Sequence, residues 1–173
     1  MTASLLVAAV QTFDTRLATL AHLLDMGAAH CAAEGDALLA RRLAPDMLPL
    51  GTQVAFTCNQ PHNFCRWLAG EAPRDLDPEV RTLGAARACI DAIRAALAAA
   101  RPEEALLDAP FTLELGNGLF AELSGRQYLD DFLMPNFYFH LVTAYAVLRA
   151  AGVPLGKRDY MGHLLPLVQQ RGD

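Results

Sequence analysis

Residues 133–160 read LMPNFYFHLVTAYAVLRAAGVPLGKRDY, and the fold turns on how this stretch is interpreted. Pro135 lacks an amide proton and has φ fixed near the helical value, so it suits the first turn of a helix rather than its middle. Gly152 permits the left-handed turn that ends a helix, and Pro154 prevents its continuation. The spacing therefore predicts a helix over residues 136–151. Phe137, Tyr138, Phe139 and Tyr145 would occupy nearly all its sides. A helix apolar all round lies at the centre of a core or is covered by a partner. His140 falls within that aromatic surround, and a buried imidazole needs a side chain, a water or a metal to bond to.

Working outward, residues 4–31 carry Leu5, Ala9, Phe13, Leu17, Leu20 and Leu24 at steps of three and four, the mark of one long amphipathic helix with Gly35 as its stop. Residues 36–42 can add a further turn. Pro45 opens the second predicted helix, which runs through Leu50, Val54, Phe56 and Trp67 to Gly70. Pro61 inside it removes one backbone donor and clashes with the Thr57 carbonyl, so a kink or restart is expected near Asn59. Residues 71–80, with two prolines and four acidic groups, read as a linker. A third helix is expected over 82–100, on Leu83, Ala86, Ile90, Ile93 and Leu97.

The period then changes to two. Phe111, Leu113 and Leu115 alternate with Thr112 and Glu114, and after Gly116-Asn117-Gly118 Leu119, Ala121 and Leu123 alternate with Phe120 and Glu122, which predicts a β-hairpin over about 111–123. That glycine turn precedes no helix and so is no phosphate loop. Ser124 can cap a short helix holding Tyr128 and Phe132. Four long helices with short links and one hairpin make an all-α protein, an antiparallel four-helix bundle, in one domain over 1–173 with a tail at 161–173.

Composition narrows the function. Of 173 residues, 53% are hydrophobic and 19% charged, which is globular and far from disordered. A net charge of −5 with scattered cations leaves no basic stripe for nucleic acid. The apolar run at 3–10 lacks a cationic flank, and no run reaches the length of a membrane span. Cys31, Cys58, Cys65 and Cys89 show no CxxC spacing. A cytoplasmic protein with reduced thiols is expected, with neither nucleic acid nor membrane as partner.

RLAPDM at 42–47, LAG at 68–70, and PNFYFH at 135–140 leading to GVPLGKRD at 152–159 are similar to one bacterial family. It is known as domain of unknown function nineteen-ninety-three, within the DinB/YfiT-like helical bundles. The resemblance covers essentially the whole chain. It implies an antiparallel four-helix bundle, often paired into dimers among related proteins. It also implies, for many relatives in the wider superfamily, a divalent metal held by three histidines, one from the second helix and two at i and i+4 on the fourth. His140 fits the second position of that pair, but Asn136 occupies the first. His62 is the nearest histidine on the second helix.

Asn136 and His140 share a helical face, and Cys58, His62 and Cys65 sit at i, i+4 and i+7. A metal set of His140, His62, Cys58 and Asn136 would suit zinc, or nickel, manganese or iron, with an open position for a nucleophilic water. Against it, an amide oxygen is a weak zinc ligand, and His140 can be a core residue bonded to Asn59 or Tyr138. The intermediate reading is a metal-free polar pocket between the second and fourth helices, formed by Gln53, Asn59, Asn63, Asn136, His140 and Tyr145. The 157–160 loop, Lys157-Arg158-Asp159-Tyr160, suits either an anion or the pinning of the chain. Asp46 simply complements a helix dipole.

Three functions follow as expectations. The first is a bundle with a degenerate or absent metal site, a polar pocket and no cofactor, taking a small molecule. The second is a divalent-metal-dependent enzyme of thiol-transferase or hydrolase type. The third is a non-catalytic structural or interaction protein. Exposed aromatics on the fourth helix favour a homodimer.

Overall fold

The computed structural model describes residues 4–171. Helix α1, Leu5–Cys31, buries Leu6, Ala9, Phe13, Leu17, Leu20 and Leu24. Leu6 rather than Leu5 starts the buried stripe, and Leu5 is exposed. Gly35 does not stop the chain's coiling: a 3₁₀ stretch, Ala32–Ala40, follows directly. Helix α2, Leu50–Leu68, starts five residues beyond Pro45. Pro49 takes the N-cap position with extended backbone (ψ 164°). A proline also disfavours helical backbone in the residue before it, so Leu48 cannot continue a helix begun upstream.

Pro61 lies inside α2 without breaking it. Nearby side chains bond back to the helix: Thr57 Oγ1 donates to the Gln53 carbonyl at 2.7 Å and Gln60 Nε2 to that of Phe56 at 3.4 Å. The expected restart near Asn59 is absent, since one lost backbone bond is borne by the bonds on either side and by burial of the helix. Helix α3, Leu83–Ala99, is capped by Thr82, whose Oγ1 accepts from the Ala85 amide at 3.1 Å.

Strands β1 (Pro110–Gly116) and β2 (Leu119–Ser124) pair antiparallel, with Phe111 opposite Leu123 and Leu113 opposite Ala121. Gly116, Asn117 and Gly118 all adopt positive φ in the turn, which explains the glycines. Ser124 and Gln127 form a capping box for the single turn α4, Gly125–Gln127. A π turn, Tyr128–Leu133, leads into α5, Met134–Ala150, the predicted fourth long helix. Gly152 (φ 88°) turns the chain away. The tail coils into α6, Lys157–Tyr160, and a 3₁₀ turn, Gly162–Leu167.

Helices α1, α2, α3 and α5 make the bundle, with α2 packed on α5 and α3, and α1 on α3. At its centre Phe13 meets Phe64 and Phe137, with ring centroids 5.2 and 4.9 Å apart. Burying each such ring stabilises the fold by roughly 1.5–3 kcal/mol. Phe111 stacks on Tyr128 at 3.8 Å, and Trp67 meets Tyr128 edge-on, so the hairpin closes one end of the bundle. Helix α5 is not buried on all sides as its sequence suggests. Phe137, Leu141, Ala144 and Leu148 face the core, while Phe139 is 59% and Val142 47% exposed. No helix among the described residues is long and apolar enough to cross a membrane.

Candidate functional site

His140 projects from α5 into the seam with α2. Its Nδ1 lies 2.8 Å from Gln53 Oε1. Gln53 in turn donates from Nε2 to the Leu48 carbonyl at 3.2 Å, which fixes the amide with its oxygen toward the histidine. An amide oxygen only accepts, so the proton sits on Nδ1 of His140 and Nε2 carries a lone pair. Burial pushes the His140 pKa down to about 4, because the charged imidazolium loses its water. The ring is therefore neutral at physiological pH. Phe56 and Phe139 flank it edge-on, each with its centroid 5.1 Å from that of the imidazole.

The partner of His140 is thus Gln53, not Asn59 or Tyr138 as expected. The other amides are committed elsewhere. Asn59 donates to Asp75 at 2.8 Å and accepts from the Leu76 amide at 3.0 Å; Asn63 accepts from the Arg74 amide at 2.8 Å. Both pin the 71–80 linker against α2. Asn136 donates to the Phe132 carbonyl at 2.8 Å, one turn back. Tyr145 packs edge-on against Tyr160, 5.8 Å away. Of the six residues expected in one pocket, only Gln53 and His140 meet. The other amides are bonded to the linker or to their own helix, which sequence spacing does not reveal.

The four candidate metal ligands are not brought together either. His62 follows Gln53 by nine residues, which is about 180° around α2 and about 13.5 Å along it, so it faces away from His140. Burial lowers the His62 pKa, and Arg66 and Arg74 lower it further. Cys58 faces α3, where it shares a hydrogen bond with Cys89. That bond, with burial, raises the Cys58 pKa, while the same bond lowers that of Cys89. Burial pushes Cys65 to about 11. Among the described residues no group of three or more His, Cys, Asp or Glu could hold a metal ion. A single imidazole beside amides lacks the charge and ligand number that zinc takes.

Phe56 has a second role. It also lines a cleft of about 720 Å³ at the start of α2, with Leu48, Thr52, Arg42 and Val80. The charges there are engaged: Arg42 donates to the Met47 carbonyl, Arg81 pairs with Glu79, and Asp36 accepts from the Leu83 amide. Phe56 stands one turn after Gln53 on the same face, a signal that could have placed it at the site. Asp159 is pinned by the Gly156 amide at 2.8 Å and by His22 Nε2 at 3.1 Å. The His22 contact spans 137 residues and leaves no trace in local spacing.

The family model Domain of unknown function (DUF1993) matches residues 5–161. Among solved structures, the chain is similar to a DinB family member protein from Shewanella denitrificans, with a TM-score of 0.76 and 29% identity over 88% of this chain and 89% of that one. No curated protein matches the chain.

Proposed function

Since the chain belongs to the DUF1993 family, with a DinB-like fold and a family name that carries no reaction, we propose that it is a binding bundle that works without a resident metal. Its anchor is the His140–Gln53 pair, and its ligand is a small, flat, uncharged molecule bearing an N–H or O–H donor. The observation that carries this reading is the fixed tautomer. Gln53 holds the Nδ1 proton, so Nε2 is a neutral acceptor between the edges of Phe56 and Phe139. An aromatic-flanked acceptor held neutral selects a donor and disfavours a second acceptor or an anion. Asn136 and His62 lend it no further ligands.

A second reading has one observation in its favour. A metal-ligating imidazole commonly donates its other ring N–H to an oxygen, and Gln53 provides that arrangement. In that reading His140 would be one ligand of a divalent ion, supplying the Lewis acid of a thiol transferase or hydrolase. Elemental analysis of untagged protein purified without chelator separates the two. Our reading expects less than stoichiometric zinc, nickel, manganese or iron, and phenol binding that shifts the amide resonances of Gln53 and Phe139. That shift is lost in His140→Ala and absent with anisole, which has no donor. About one equivalent of metal, lost in His140→Ala, would overturn it in favour of the metal-dependent enzyme.

A further inference from the structure

A second cleft, of about 480 Å³, lies between α1, α3 and the C-terminal 3₁₀ turn, and shares no residue with the α2–α5 seam. Its volume is that of a small-ligand site. Ala18, Leu165 and Pro166 give it an apolar floor.

The carboxylates on its rim are already satisfied. Asp14 is clamped by Arg94 at 2.8 and 3.4 Å, a closed pair. Asp159 spends one oxygen on the Gly156 amide and the other on His22, and both bonds hold its carboxyl below the usual range. The cations are not all spent. Arg158 lines the cleft and makes no ion pair among the described residues. Arg16, outside the lining, is bonded to the Thr15 hydroxyl, and its charge adds to burial in lowering the His163 pKa. The lining sets Arg94 and Arg158 against Asp14 and Asp159; with Asp14 closed on Arg94 and Asp159 held by the Gly156 amide and His22, Arg158 is the lining charge left without a partner among the described residues. Its carboxylates are filled, the Arg158 guanidinium is open, and the buried Nδ1 of His163 also lacks a partner.

We infer that this cleft binds a small organic carboxylate with a flat apolar body, the carboxylate on Arg158 and the body on Ala18, Leu165 and Pro166. A guanidinium takes a carboxylate through two parallel hydrogen bonds, which an ammonium cannot reproduce. The site is independent of His140, so it stands or falls separately from the seam.

The test is an NMR titration of the full chain with phenylacetate and with phenylacetamide, its uncharged counterpart. Saturable shifts at Ala18, Gly162 and Leu165 are expected with phenylacetate, and binding about tenfold weaker for the amide. Arg158→Gln should weaken phenylacetate about tenfold, Arg158→Lys less, and Ala18→Leu should fill the floor and abolish binding. His140→Ala should leave the titration unchanged. Arg158 is exposed, so its variants keep the fold. Absence of saturation, equal binding of acid and amide, or indifference to Arg158→Gln would overturn the proposal; equal binding would show a merely apolar groove.

Discussion

His140→Asn separates titration from bonding at one position. An asparagine amide reaches the place of Nδ1–H and can still donate to Gln53, but it takes up no proton. In the parent the folded protein holds the imidazole neutral down to about pH 4, whereas in the unfolded chain it titrates near 6.5. Between those values the unfolded state binds more protons, so stability falls as pH drops through that window. Above about 6.5 the contribution is fully present, and below about 4 the loss is complete. At 1.36 kcal/mol per unit the shift from 6.5 to about 4 bounds the loss at about 3.4 kcal/mol. The ring is only partly buried, and solvent screening reduces the expected figure to about 1–2 kcal/mol. Urea melts at about pH 7.5 and about pH 4.5 measure it for both proteins. His62, His163 and the carboxylates contribute equally to each, so the difference of differences isolates His140. An equal acid loss in parent and variant would refute the neutral, desolvated imidazole on which the seam reading rests.

Two glycines should respond oppositely to one substitution. A Cβ at Gly51 would sit 1.9 Å from the Val80 carbonyl oxygen, so Gly51→Ala should lower stability by about 1–3 kcal/mol in a urea melt, while Gly84→Ala, with nothing within 4 Å, should raise it by up to about 1 kcal/mol. The exposed Phe139 and Val142 fit a homodimer face. Light scattering should then give about twice the chain mass of 18.7 kDa, and Phe139→Asp should halve it; a monomeric parent would exclude the dimer.

The long helices were legible because burial leaves a periodic record: the stripe on α1, the span of α3 and the stop at Gly152 all sit where spacing puts them. The start of α2 was not, because Pro45 and Pro49 both offer a first-turn proline, and only packing decides between them. The site was half legible. His140 stood out as a polar group in an aromatic helix, but its partner lies 87 residues away on another helix. Asn59 and Asn63 looked like pocket groups, since an amide that pins a loop and one that lines a cavity are the same residue in sequence. The same holds for Cys58, which points at Cys89 across the α2–α3 interface rather than at the histidines.

The wide turn at Tyr128–Leu133 has a consequence for all that follows it. A π-type bond spans one residue more than an α-type bond, so such a turn takes in an extra residue without ending the helix. Each residue is worth about 100° of rotation. The azimuth of α5 is therefore set at its root, before any residue of the seam is reached. Wound as plain α-helix, those six residues would send His140 roughly a quarter-turn away from Gln53 and carry Phe137 out of the core. The turn works as a vernier: it trades one unit of chain for the angle at which the helix meets its neighbours. The imidazole and the central aromatic cluster thus share one adjustment, and neither can be retuned without the other.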